Sequence, residues 1–352
     1  MTDGAIVAIP PEDHGAWWDA ISDLPDAHPF YHPDVLSHLA RQDDSRAELL
    51  TYREGTKSAL LPWLVRDLPP RVVDRVGGRF RHDAVGPDYG GPVGSFDADV
   101  LGRFYDALGR FAADRGILTA FLRLNPFGGV QALLEHCPNI QSDRDIVWLD
   151  LTRGFDALWA EFAHSARKNY KRALASGLEF TASTSDEAVE GLAGVYAATM
   201  TRRHAEDRYR LDLEFFRGLT RLAGTSTLIV TARLSGRPVA SHLYLCDSRY
   251  AFSYLGGALS EFAACRPTNG VVTEAIKLLS GRGATRLVLG GGYHAGDGIE
   301  RFKRTFSRST IGFRTQRLVF DESAYQAATT EQREDARTSV TDFFPAYRAT
   351  DS

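Results

Sequence analysis

Residues 287–306 read LVLGGGYHAGDGIERFKRTF, and this stretch decides how the second half of the chain is interpreted. Leu287 to Leu289 form a short apolar run of buried-strand type that opens into Gly290, Gly291 and Gly292. A loop closed by Gly296 and Gly298 follows, and the spacing then predicts a short helix presenting Phe302 and Lys303. Lysine is scarce: Lys57, Lys168, Lys171, Lys277 and Lys303 are the only five among 41 Lys and Arg residues. A flexible ammonium beside a strand end that glycines leave open can neutralise negative charge developing where the backbone approaches a substrate closely. The competing reading is a solvent-facing lysine on an amphipathic helix after an ordinary glycine turn. No Gly-Lys-Ser/Thr follows the glycines, which excludes a P-loop. The strand lies late in the chain and the helix after it is short, which excludes a dinucleotide fingerprint.

Upstream, apolar residues from Phe155 to Leu174 recur at helical spacing, so Phe155–Ala175 reads as one long amphipathic helix ended by Gly177. Two further helices are marked by Val189 to Met200 and by Leu213 to Leu222. Strands at Ser226–Leu234, Pro238–Cys246 and Arg249–Gly256 are joined by Gly236-Arg237 and Asp247-Ser248, linkers short enough to require an antiparallel meander. A helix at Thr268–Arg282, the strand before the glycines, the Lys303 helix and a strand at Ile311–Val319 complete an α+β layout with a mixed sheet. The first 150 residues repeat that order loosely: helices at Trp17–Leu24 and Pro33–Ala40, a hairpin at Glu48–Arg53 and Ser58–Val65, a helix at Phe96–Arg115, a strand at Leu118–Leu124, a helix at Gly128–Glu135 and a strand at Ile146–Leu151. The expected domains are 1–150 and 151–320, with the tail 321–352 helical and packed back on the first.

At 352 residues two domains are the default, and 43% hydrophobic with 24% charged residues is a globular composition. No apolar run is long enough to span a membrane, and no basic region precedes the short apolar stretch at the N-terminus. The odd, scattered cysteines Cys137, Cys246 and Cys265 fit a reducing cytoplasm and give no metal-ligand spacing; the expectation is a cytoplasmic protein without a metal. A net charge of −4 argues against general coating of nucleic acid but leaves room for a local basic groove.

The meander, helix, strand, short-helix order resembles the GNAT acyltransferase fold, and two such units in one chain resemble the FemABX family of aminoacyl-tRNA-dependent peptidyltransferases. HSARKNYKRALASGLEF (His164 to Phe180) is similar to that family's basic helix before a strand, and TMTR (Thr199 to Arg202) to its Thr-x-x-Arg. SYLGGA (Ser253 to Ala258) is similar to its Tyr-x-Gly strand, GIERFKRTF to its Phe-Lys-x-x-Phe, and PDYGGP (Pro87 to Pro92) to its Tyr-Gly-x-Pro loop. The implied fold is α+β, with two tandem GNAT-like domains, each a mixed, mostly antiparallel sheet flanked by helices.

The resemblance implies an amide-forming aminoacyltransferase that needs no cofactor and uses aminoacyl-tRNA as donor. Lys303 and Phe302 would be catalytic, the first on the oxyanion and the second against the donor's 3′ end. Arg202, Tyr254, Thr199, Tyr89, Gly291 and Gly292 would bind substrate; Arg167, Lys168, Lys171, Arg172 and Arg304 would meet RNA phosphates. For the arginines and lysines of the 155–175 helix, offsetting of the helix dipole competes with that role. His294 and Asp297 invite a general-base reading, against which stands the activated ester's small need for one.

Relatives that act on nucleotide-linked cell-wall precursors carry an anchoring lysine in the region matching His28 to Gln42; this chain has none there and Arg41 is not equivalent. The acceptor is therefore expected to be a small amine or amino-acid-like metabolite, in secondary metabolism rather than on a peptidoglycan precursor. The alternative on the same fold is an acyl-CoA N-acyltransferase, whose phosphate loop would fall at CRPTNGVV (Cys265 to Val272), a stretch with a single glycine. A non-catalytic binding protein of acyltransferase shape is the third reading.

Overall fold

The computed structural model describes residues 4–222, 224–294, 296–335 and 343–349, the backbone alone at 208 and 331–335. It divides into two compact units, Met1–Asp143 with Phe313–Ser352, and Arg144–Gly312. The expected helix over the tail lies outside the described residues at 336–342 and 350–352.

The first unit runs β1 (Ile6–Ile9), α1 (His14–Ile21), α2 (Pro33–Gln42), β2 (Arg46–Glu54), β3 (Lys57–Asp67), α3 (Pro70–Arg75), β4 (His82–Val85), β5 (Val93–Ser95), α4 (Ala98–Asp114) and β6 (Ile117–Arg123). The second unit takes up the chain within β7 (Ile140–Asp150) and continues through α5 (Phe155–Glu161), α6 (His164–Ala175), β8 (Glu179–Ala182), α7 (Asp186–Arg202) and α8 (Leu213–Thr220). Its meander is β9 (Ser226–Leu234), β10 (Arg237–Cys246) and β11 (Tyr250–Ala258), followed by α9 (Pro267–Ser280), β12 (Arg286–Gly290) and α10 (Gly298–Lys303). The chain returns to the first unit within β13 (Thr310–Val319) and ends its described helices with α11 (Glu322–Asp335).

Strand order in the first unit is β1-β2-β3-β4-β6-β13, with β5 on β3; in the second it is β7-β12-β11-β10-β9-β8. Each sheet is antiparallel except for one parallel pair, β4 with β6 and β11 with β12. Parallel neighbours need a crossover, which α4 and α9 provide. The two units thus share the same chain logic, and the architecture is the α+β, mostly antiparallel one that the sequence implied. The second core gathers Leu149, Phe162, Tyr244, Ile276 and Leu287 between the sheet and its helices; the first gathers Trp63, Phe104, Leu108 and Leu122.

One helix expected over Phe155–Ala175 is two. Phe162 and Ala163 take extended dihedrals, ψ 141° and 148°, between α5 and α6. Tertiary partners outweigh helical periodicity there: Phe162 is buried edge-on to Phe306 at 5.3 Å, and the Ala163 amide donates to the Thr305 carbonyl at 2.8 Å. The stretch expected as a helix at Gly128–Glu135 is a 3-10 segment, Gly129–His136. The short strands β1, β4 and β5 were not anticipated.

In the first unit Tyr347 is buried and its hydroxyl lies 2.7 Å from Thr119 Oγ1, while Arg348 grips the buried Asp83 carboxylate.

Candidate active site

The second unit holds a cavity of about 850 Å³ where its sheet opens. The parallel pairing of β11 with β12 runs only from Tyr250/Arg286 to Phe252/Val288. Past Phe252, β11 continues to Ala258 without a strand partner on that side among the described residues, and the cavity occupies the gap.

His242 on β10 and Ser253 on β11 form the floor, with His242 Nε2 2.8 Å from Ser253 Oγ. Gly256 pairs across from His242, and a Cβ there would lie 2.3 Å from the imidazole Nδ1, so glycine is what lets the ring lie flat on the strand. Burial, and then the nearby Lys303 charge, press the His242 pKa down to about 3, which leaves it neutral at physiological pH. Helix α7 forms a second wall. Its buried Thr199 donates to the Val195 carbonyl at 2.8 Å and accepts from the Ala258 amide at 3.1 Å, while Arg202 Nη1 donates to the Ala258 carbonyl at 2.9 Å.

Helix α10 supplies Lys303. Its Nζ donates to the Gly291 carbonyl at 2.7 Å, on the glycine exit of β12. Burial lowers its pKa to about 8; the Asp297 carboxylate works against that shift and Arg144 adds to it. Phe302 packs against Phe306 with ring centroids 5.2 Å apart, which fixes the face of the short helix.

Asp297 is the cap of α10. It accepts from the amides of Ile299 and Glu300, both at 2.8 Å, and from Tyr293 at 2.7 Å. These bonds, that from Glu300 foremost, hold its carboxyl at about 2. A Cβ on Gly292 would fall 2.1 Å from Asp297 Oδ1, and one on Gly291 2.9 Å from the Arg144 side chain. The loop glycines therefore permit close approach of the groups that build the lysine's support.

Helix α9 opens its N-terminus onto the cavity. Arg266 takes a left-handed conformation at φ 59°, Pro267 follows at the first helical position, and no side chain caps the end. The one glycine of this stretch, Gly270, serves packing instead: a Cβ there would strike the Phe180 ring at 2.2 Å.

Of the residues singled out from sequence, Lys303, Phe302, Arg202, Tyr254 and Thr199 share this one cavity. Gly291 and Gly292 are not on its wall. Tyr89 belongs to the first unit, at φ 55° with its ring 5.4 Å from Phe313. Arg167 turns back to the end of α5, donating to the carbonyls of Ala160 at 2.8 Å and Phe162 at 2.6 Å, whereas Lys168, Lys171 and Arg172 are exposed on α6. Arg304 pairs with Glu300 at 2.6 Å and Asp145 at 3.6 Å. Sequence reasoning missed His242, Ser253, Arg203, Arg266 and the wall tyrosines Tyr196, Tyr209 and Tyr293. Burial, with Tyr293 and Tyr209 nearby, pushes Tyr196 up to about 12. The available signal was a histidine in the mostly apolar run 239–246, one strand before the Gly256-Gly257 pair.

Among the described residues no group of three or more His, Cys, Asp or Glu side chains is placed to hold a metal ion, and no helix is long and apolar enough to cross a membrane.

Residues 160–304, from the end of α5 to just past Lys303, match the acetyltransferase (GNAT) domain family. The chain superposes on the crystal structure of FemX over 91% of its own length and 98% of that chain, at a TM-score of 0.69 and 12% identity. A conserved protein of unknown function from Bacteroides thetaiotaomicron gives a TM-score of 0.59 at 11% identity, covering 89% of this chain and 99% of that one. The C-terminal domain of a putative lysylphosphatidylglycerol synthetase from Agrobacterium fabrum gives 0.55 at 14% identity, covering 92% and 96%. At these identities the likeness establishes the fold, which is that of FemX. No curated protein matches the chain in sequence.

Proposed function

We propose that this chain of FemX fold, with its GNAT domain, is an acyltransferase that moves the aminoacyl group of an aminoacyl-tRNA onto the amine of a small acceptor. The observation that carries the reading is Lys303, a half-buried cation brought by α10 to the cavity where β11 and β12 part.

In the reaction the acceptor nitrogen attacks the ester carbonyl, the C–N bond forms and the C–O bond to the ribose breaks. The proton lost from nitrogen leaves with the ribose hydroxyl. An ester is already activated, so holding the amine against it and neutralising the oxyanion with the Lys303 ammonium supply most of the acceleration. The neutral His242 accepts no charge in this scheme; it and Ser253 offer polar atoms to the amine. The exposed basic residues Lys168, Lys171 and Arg172 present a surface for phosphates.

A second reading is favoured by one observation. The uncapped start of α9 points amides at the cavity beside Arg266, which suits the diphosphate of an acyl-CoA thioester. The test is to incubate the purified protein with a metabolite extract and labelled aminoacyl-tRNAs, alongside an acyl-CoA pool and the Lys303→Ala variant. RNase-sensitive transfer that collapses in the variant supports the tRNA donor; turnover of acyl-CoA alone replaces it with the thioester.

A further inference from the structure

The cavity wall has a one-sided charge inventory. Arg202, Arg203, Arg266 and Lys303 line it, and no Asp or Glu does among the described residues. This is unusual for a chain that carries 45 acidic residues and a net charge of −4. Elsewhere in the same unit several arginines are matched with carboxylates, as Arg153 is with Glu161, Arg217 with Glu214 and Arg237 with Glu261, so the mixture of signs found there is missing from this wall. On the cavity, Arg202 reaches only a backbone carbonyl, and the guanidinium groups of Arg203 and Arg266 have no hydrogen-bond or ion-pair partner among the described residues.

The cations lie on three separate elements. Arg266 stands at the start of α9 and Lys303 on α10, while Arg202 and Arg203 stand together at the end of α7. Cations in a last turn also offset the helix dipole, and some hydrogen-bond the last carbonyls of their own helix. Arg202 instead reaches across to Ala258 on β11, and Arg203 binds none. A donor's phosphates go to the exposed cations of α6 in the tRNA reading and to the uncapped end of α9 in the thioester reading, and either leaves the α7 pair without a counter-ion.

Resting on the acyl-transfer reading above, we infer that the acceptor is an amine that also carries a carboxylate, an amino acid or the like, with the carboxylate held by Arg202 and Arg203 and the amine directed to the His242–Ser253 floor beside Lys303. An ammonium placed among cations, on a wall that no Asp or Glu lines, sheds its proton more readily, so the same wall that binds the carboxylate favours the amine in its nucleophilic form. The neutral imidazole and the serine hydroxyl add no charge to that balance. A plain cationic amine, by contrast, offers these cations no carboxylate to hold.

The test compares amino acids pairwise with their amides, which differ only in the carboxylate, by calorimetry and by competition in the transfer assay, on the wild type, Arg203→Gln and Arg202→Gln/Arg203→Gln. The expected result is at least one amino acid bound about tenfold or more tightly than its amide, with the preference lost in the double variant and reduced in Arg203→Gln. The single variant removes no internal bond, so it reports on the site without risk to the fold. Amides or simple amines bound as well as the acids, no binding by any pair, or a preference that survives both variants each overturns the inference. If the preference appears and depends on the arginines while neither donor is turned over, the carboxylate site stands and the acyl-transfer reading falls.

Discussion

Lys303 Nζ rests on the Gly291 carbonyl at 2.7 Å, so the cation of α10 is held by the strand exit that the glycines open. Helix and strand fix each other through this bond. The carbonyl orients the ammonium without neutralising it, and a substrate oxyanion can take up its remaining N–H bonds.

The rate should therefore track the charged form of Lys303. With its pKa lowered by burial to about 8, activity is expected to fall as pH rises through that value, an alkaline limb well below that of an ordinary lysine. Lys303→Ala should lower kcat by about 10²–10³ with a smaller change in KM, the cost typical of one lost oxyanion donor. Stability moves the other way. The folded state disfavours the ammonium relative to the unfolded chain, whose lysine titrates near 10.5, so burying it costs stability below pH 8 and the cost fades as pH climbs between those values. Lys303→Met should raise Tm at pH 7 while lowering kcat as far as Ala does; an impaired variant with a lower Tm would contradict this.

Gly256→Ala tests the floor of the cavity. The added Cβ would come 2.3 Å from His242 Nδ1 and 2.8 Å from the Ser241 carbonyl, so strand and ring must both shift. The expected loss is about 1–3 kcal/mol by urea denaturation, as for other overpacked sites. Combining it with His242→Ala should recover part of that loss, since the ring contact goes but the backbone contact stays. Strict additivity in the double-mutant cycle would mean that the two residues do not touch.

In the first unit, the buried His28 and His32 are expected to make stability fall in acid. Burial presses them to about 3 and about 4, from 6.5 in the unfolded chain, and the His28 Nε2–H donates to the Tyr89 carbonyl at 2.9 Å. Because the native state binds fewer of these protons, stability present at neutral pH is lost as pH drops below 6.5 and goes on falling toward the folded pKa values. Urea midpoints measured from pH 7 to pH 4 should decline, and His28→Gln should flatten the slope. An unchanged slope would place the acid response elsewhere.

Those histidines also mark where sequence reading stops. The β9-β10-β11 meander was legible because tight linkers allow only one pairing, and α4 and α9 because their apolar faces repeat over three turns or more. The break at Phe162–Ala163 was not, because it is decided by Phe306 and Thr305, residues more than 140 positions away. Strands β4 and β5, of 4 and 3 residues, are too short to show alternation. On the cavity, Lys303 and Arg202 stood out through their motifs, whereas His242 acquires meaning only once β11 sets Ser253 and Gly256 against it. Arg167 shows the reverse: its basic character was plain, but its three carbonyl partners at the end of α5 are a product of the fold.

Asp297 separates an anchoring carboxylate from a catalytic one. Both of its oxygens are occupied by backbone amides, from Ile299 and Glu300 on one side and Tyr293 on the other, which leaves little basicity for proton abstraction. Asp297→Asn keeps an amide oxygen that can cap the helix, while Asp297→Ala keeps none. An anchor predicts that Asn, which keeps one oxygen for Ile299 and Glu300 but sets an NH2 against the Tyr293 amide, retains more activity and Tm than Ala, which loses Tm with the cap and activity with the placement of Lys303. A general base predicts that Asn is as inactive as Ala. The Asn variant carries a further signature: the carboxylate's charge raises the Lys303 pKa, so its removal should shift the alkaline limb to lower pH. An active Asn variant with an unshifted limb would show that Lys303 does not set the pH profile.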